Sequence, residues 1–153
     1  TVTIKSFSDT TPIKIEVATS YTNECGITEG EVPELNKTIF GGSSYYVSSY
    51  YSARQLCNLT NITSLRPDDG IIPESFGKLK NLESISSYND GWNRYSNIKK
   101  LPESIGNLTK LKYLDLRNNY LSGALPESMG NLVNLEIFYI NNPYTNYYYG
   151  TIG

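Results

Sequence analysis

One phrase occurs three times in this chain: IPESFGKLKNL from Ile72, LPESIGNLTKL from Leu101 and LPESMGNLVNL from Leu125. Self-similarity at a fixed period restricts the fold more than any other feature, because each copy is one small unit that cannot bury its apolar side chains alone. The prolines of the phrase stand at positions 73, 102 and 126, so they are 29 and then 24 residues apart. A unit of 24 residues therefore carries a five-residue insertion in its middle copy, within SYNDGWNRYSNIKK between Ser87 and Lys100.

The clearest unit runs from Leu111 to Leu132 as LKYLDLRNNYLSGALPESMGNL. Leu114 and Leu116 alternate with Tyr113, Asp115 and Arg117, the pattern of a short strand with one face turned inward. Asn119 is placed to satisfy backbone groups where the chain leaves the strand. Gly123 and Pro126 punctuate a second extended stretch. Glu127 then opens a short helical turn, where a carboxylate suits the helix N-terminus. Stacking such units about 4.8 Å apart through strand pairing makes one continuous core.

The spacing of Leu111, Leu114, Leu116, Asn119 and Leu121 fits L-x-x-L-x-L-x-x-N-x-L, and here the chain resembles the leucine-rich repeat family. NYLSGALPESMGNL is similar to the plant-type subclass, which adds a G-x-[IL]-P stretch. The resemblance is strongest over 101–132, weaker from Leu56 to Leu101 and partial after Asn134. It implies a mostly β solenoid of about four coils with short helical turns, covering 56–153. Its outward sheet face would be the usual place for a ligand. Receptor ectodomains and inhibitors of wall-degrading enzymes are among the plant-type relatives.

Residues 1–55 lack the period. VTIKSF and TPIKIEVAT alternate with a period of two around the turn formers SDTTP and predict a β-hairpin. The stretch that follows is rich in turn formers. We expect a β-rich N-terminal capping region that covers the leucines of the first coil. Cys25 and Cys57 either staple this cap to the solenoid through a disulfide or are two buried thiols.

A net charge of −2, and no basic run longer than Lys99-Lys100, argue against nucleic acid and against a polybasic membrane surface. No segment approaches the roughly eighteen apolar residues of a membrane-spanning helix. The chain starts at Thr1 with no apolar leader and reads as a processed product. Four N-x-T sequons, at Asn36, Asn58, Asn61 and Asn107, together with the even cysteine count, point to a secreted or cell-surface glycoprotein.

There is no histidine, which removes the usual general base and the commonest metal ligand. Two cysteines without histidine make a poor zinc site, and no phosphate-cradling glycine motif occurs. The one adjacent acid pair, Asp68-Asp69, sits in the turn signature RPDDG. Glu74, Glu103 and Glu127 recur at one place in the repeat and read as a solvated edge. We therefore expect no enzyme activity, metal or cofactor. Recognition of a protein or a glycan is the main expectation. Alignment of the units puts Tyr88, Tyr113, Asp115, Arg117, Tyr139 and Asn141 on the outward strand positions.

The last unit places Leu135, Phe138 and Ile140 at strand positions, and the chain stops where the next short helix would begin. A solenoid end needs a cover. Three readings stay open: the chain is a fragment, its tyrosine-rich tail folds back, or another copy covers the end. The third draws on two aromatic clusters, Tyr45, Tyr46, Tyr50 and Tyr51 before the first coil and Tyr144, Tyr147, Tyr148 and Tyr149 in the last. A contact between unlike ends does not close and would propagate as an extracellular fibril.

Overall fold

A computed structural model describes residues 25–41, 51–87 and 97–140. The expected hairpin, much of the insertion, and the site residues Tyr45, Tyr46, Tyr50, Tyr88, Asn141, Tyr144, Tyr147, Tyr148 and Tyr149 lie outside the described residues.

Two helices come first. Helix α1 spans Val32–Phe40, with Pro33 in its first turn, where a missing N–H costs nothing. Its buried residues are Leu35, Asn36, Thr38 and Ile39. It stops at Gly41, whose φ of 78° suits glycine and whose N–H reaches the Lys37 carbonyl at 2.7 Å. Helix α2, Ala53–Cys57, starts from a capping box. The Ser52 hydroxyl accepts the Gln55 N–H while the Gln55 side chain accepts that of Ser52. Within 1–55 the described residues form α1 and the start of α2, and the strands expected of the cap at 2–19 lie outside the described residues. Apolar residues at 35 and 39 share a helix face, and the helical spacing wins over the local turn formers.

Strands then alternate with 3-10 helices. The strands are β1 (Asn61–Ile62), β2 (Ser84–Ser86), β3 (Tyr113–Asp115) and β4 (Ile137–Tyr139). They form one parallel four-stranded sheet in the order β1-β2-β3-β4. Between them lie η1 (Glu74–Lys78), η2 (Glu103–Asn107) and η3 (Glu127–Asn131), each preceded by a proline, Pro73, Pro102 or Pro126. The repeated phrase is therefore the helical side of a small solenoid whose other side is the parallel sheet.

Its core is a set of ladders. Ile62, Ile85, Leu114 and Phe138 stand in register across the four strands. Phe76, Ile105 and Met129 occupy the same place on the helical side, and all three are buried. Ile27, Leu35 and Ile39, with Leu56 of α2, belong to the same apolar cluster. Each fully buried side chain of this size contributes roughly 1.5–3 kcal/mol.

A disulfide joins Cys25 to Cys57, with Cα atoms 5.6 Å apart, and ties the stretch before α1 to the end of α2. Nearby, the Lys78 ammonium donates to Glu31 at 2.7 Å and to the Gly26 carbonyl at 2.9 Å. This cation reaches from η1 to the foot of α1.

Asn119 acts as expected from the sequence. Its Oδ1 accepts the Ile98 N–H at 3.0 Å, and its Nδ2 donates to the Leu116 and Ser87 carbonyls at 3.0 and 3.3 Å. Its Nδ2 also reaches the Arg117 carbonyl at 3.4 Å, so one buried amide serves backbone groups from two neighbouring coils.

Candidate recognition surface

The sheet face turned away from the core carries Asn61 and Thr63 from β1 and the residue after it, Ser84 and Ser86 from β2, Tyr113 and Asp115 from β3, and Ile137 and Tyr139 from β4. Small side chains occupy the β1–β2 half and large ones the β3–β4 half. The register explains how the large ones meet: Tyr113 pairs with Ile137 and Asp115 with Tyr139.

Asp115 organises this half. Its Oδ1 accepts the Arg117 backbone N–H at 3.1 Å and Nε–H at 2.9 Å, and its Oδ2 accepts Nη2–H at 2.6 Å. The Tyr113 hydroxyl donates to the same Oδ2 at 3.2 Å. Charge-assisted forks of this kind fix the guanidinium plane. That plane lies 4.7 Å from the centroid of the Tyr139 ring, a cation–π distance. The Tyr113 and Tyr139 rings meet edge to face at 6.1 Å.

Asp115 is one sequence-based assignment that the geometry changes. It stands at an outward position, yet only 1% of it is exposed. Arg117 and the two tyrosines cover it, so its carboxylate faces its own neighbours and not a ligand. Burial alone would push the Asp115 carboxyl up. The hydrogen bonds and charge of Arg117, with the Tyr113 hydroxyl, outweigh that and hold it below the usual aspartate range. Burial and the adjacent Asp115 charge push the Tyr113 phenol up. At neutral pH the cluster therefore holds an ionised Asp115 and a neutral Tyr113 beside the Arg117 guanidinium.

Two other assigned residues sit elsewhere in the fold. Asn36, expected to carry a glycan, is completely buried. Its Nδ2 donates to the Val32 and Tyr51 carbonyls at 2.9 and 2.7 Å, and its Oδ1 accepts the Tyr51 N–H at 2.7 Å. A sugar on Nδ2 would displace those bonds. Tyr51, expected in a self-association cluster, is half-buried, with its ring 5.3 Å from that of Phe40. It packs within the chain. The capping box SARQ at 52–55 was the available signal that this region is helical and not a free aromatic arm.

Asp68 and Asp69 each have structural work. Asp68 pairs with Lys37 at 3.0 Å, and the Asp69 Oδ1 accepts the Ile71 N–H at 3.0 Å. Among the described residues no group of histidine, cysteine or acidic side chains could hold a metal ion, and no helix is long and apolar enough to cross a membrane.

The leucine-rich-repeat family model matches residues 110–132, the unit that contains Tyr113, Asp115 and Arg117. No curated protein matches the chain. Among solved structures, the chain is similar to a leucine-rich-repeat protein of Leptospira interrogans, with 21% identity and a TM-score of 0.46. That likeness covers 74% of this chain but only 34% of the other, so this chain spans about a third of its length. Over residues 110–132 the chain is similar to a leucine-rich repeat, a unit that in general serves protein–protein interaction.

Proposed function

We propose that this chain is a non-catalytic extracellular glycoprotein that recognises a protein or glycan ligand through the β3–β4 half of its outward sheet face. It comprises a capping region over 1–55 and a repeat solenoid of the plant-type subclass over 56–153. The observation that carries the reading is the pinned guanidinium of Arg117, locked by Asp115 and laid against Tyr139. A rigid Arg–Tyr pair loses little entropy on binding, which is why such side chains dominate contact energies. The disulfide and the sequons support the extracellular part.

The test is an array of immobilised glycans and secreted proteins probed with the wild type and with Arg117→Ala/Tyr139→Ala. Loss of two contact residues should weaken the wild-type hits by about 30-fold or more. A Glu127→Ala control, on the helical side, should leave them unchanged. Undiminished binding by the double variant would sink this reading.

A second reading, a structural subunit that stacks head to tail into an extracellular fibril, is favoured by the β4 end. Leu125 is 41% exposed and Val133 79%, whereas Leu101 and Ile72, at the place equivalent to Leu125, are buried. Electron microscopy across a concentration series should then show filaments, and Leu125→Ser/Val133→Lys should leave single particles. Single particles from the wild type at every concentration would remove the fibril.

A further inference from the structure

We infer that three of the four sequons, at Asn58, Asn61 and Asn107, are acceptors of N-linked glycan in the folded protein, and that the fourth, at Asn36, is reserved as a structural amide. The inference rests on the extracellular reading above and adds which side chains carry sugar and which part of the recognition face stays clear.

The four sites share one tripeptide pattern, so sequence alone ranks them equally. The fold separates them at both functional positions of the sequon. At Asn58, Asn61 and Asn107 the asparagine is exposed, and so is its threonine, Thr60, Thr63 or Thr109. At Asn36 both positions are closed. Asn36 is completely buried, and Thr38 is 4% exposed with its hydroxyl donating to the Glu34 carbonyl at 3.0 Å.

The chemistry of transfer sharpens the difference. Nδ2 attacks the anomeric carbon of a lipid-pyrophosphate-linked oligosaccharide. The N–C bond forms as the C–O bond to pyrophosphate breaks, the lipid pyrophosphate leaves with the electron pair, and Nδ2 gives up one proton. A glycosylated asparagine therefore keeps a single N–H. Asn36 uses both of its N–H bonds, one to the Val32 carbonyl within α1 and one to the Tyr51 carbonyl beside α2. A sugar there would cost one of these buried bonds and force a hydrated oligosaccharide into the contact between the helices. A chain modified at Asn36 on entering the secretory lumen would fail to complete this packing.

The acceptor positions also divide the surface. Asn107 lies at the end of η2, on the helical side of the solenoid. Asn61 lies on β1 in the same row as Ser84 and Tyr113, two strands from the Arg117 cluster, or about 10 Å. A glycan on Asn61 stands over the β1–β2 half, where the outward side chains are small, and leaves the β3–β4 half open.

The test is secretion of the full chain from eukaryotic cells behind a supplied leader. Glycan release in heavy-oxygen water then converts each occupied asparagine to labelled aspartate, located by mass spectrometry of the disulfide-bonded fraction. Label is expected at Asn58, Asn61 and Asn107, with none at Asn36. The variant Thr60→Ala/Thr63→Ala/Thr109→Ala keeps only the Asn36 sequon and should be secreted folded with no glycan at all. Label at Asn36 in folded material, glycan on the triple variant, or absence of label at Asn58, Asn61 or Asn107 would each overturn the inference. Because the leader supplies the secretory route, these outcomes are independent of the binding array, which tests the recognition reading by itself.

Discussion

Gly77 lies so close to Ser104 of the next coil that a β-carbon on it would stand 2.4 Å from the Ser104 carbonyl oxygen and 2.5 Å from its Cβ. Gly106 repeats the relationship with Ser128. The glycine of the E-S-x-G phrase is there to let neighbouring coils touch. Gly77→Ala must push η1 and η2 apart and should cost about 3 kcal/mol in urea unfolding. Gly130, at the same place in η3, meets nothing within 4 Å of such a carbon. Gly130→Ala should change stability by less than about 0.5 kcal/mol. Equal effects at the two positions would mean that the coils are not this close.

Asn119→Ala should be among the most damaging polar substitutions, because it leaves the buried Ile98 N–H without its acceptor. The expected loss is about 2–3 kcal/mol, with faster hydrogen exchange at the Ile98 amide as the local signature. Asn119→Asp keeps the acceptor but replaces the donor to Leu116 and Ser87 with an oxygen, so it should recover little. Stability near wild type for the alanine variant would contradict the backbone role assigned to Asn119.

The repeat was legible because its signal is local. Leu111, Leu114 and Leu116 announce a strand, and the phrase from Pro126 announces a turn of helix, without reference to distant residues. What stayed hidden depends on which side chains meet across coils or elements. The Gly77–Ser104 approach joins residues 27 apart in the chain. Asn36 reads as an ordinary sequon until Tyr51, 15 residues on, closes over it. Asp115 occupies an outward strand position, and period-two alternation assigns it to solvent. Its burial arises from Arg117 folding back and from Tyr139 arriving on the next strand. The two helices were missed because turn formers around Glu31 and Gly41 outweighed a short apolar stripe in an unaligned stretch.

The disulfide closes a sequence separation of 32 residues. In the chain-entropy account a loop of that length is worth about 3–4 kcal/mol. Cys25→Ala/Cys57→Ala should lose that much in thermal or urea unfolding. The wild type with reductant should unfold where the double variant does. A wild type insensitive to reductant, with thiols verified as free, would show that Glu31, Lys78 and the apolar contacts suffice to hold the helices.

The Asp115–Arg117 lock makes a pH-dependent contribution whose sign follows from the depressed carboxyl. A carboxyl with a lower pKa when folded stabilises the fold fully above its unfolded value, near 3.9, and loses that contribution as pH falls through the folded value. Glu31 and Glu83 are depressed as well, chiefly by hydrogen bonds from Lys78 and Lys112, so the slope of the wild type alone would mix several groups. The difference between wild type and Asp115→Asn isolates one. That difference should be constant from pH 7 to about 5, then close as the medium is acidified below about 4. Binding should follow the same course, because protonated Asp115 releases the guanidinium that Tyr139 receives. A stability difference independent of pH would show that Asp115 acts through packing and not through its charge. A ligand held equally well at neutral and strongly acid pH would place recognition away from Arg117.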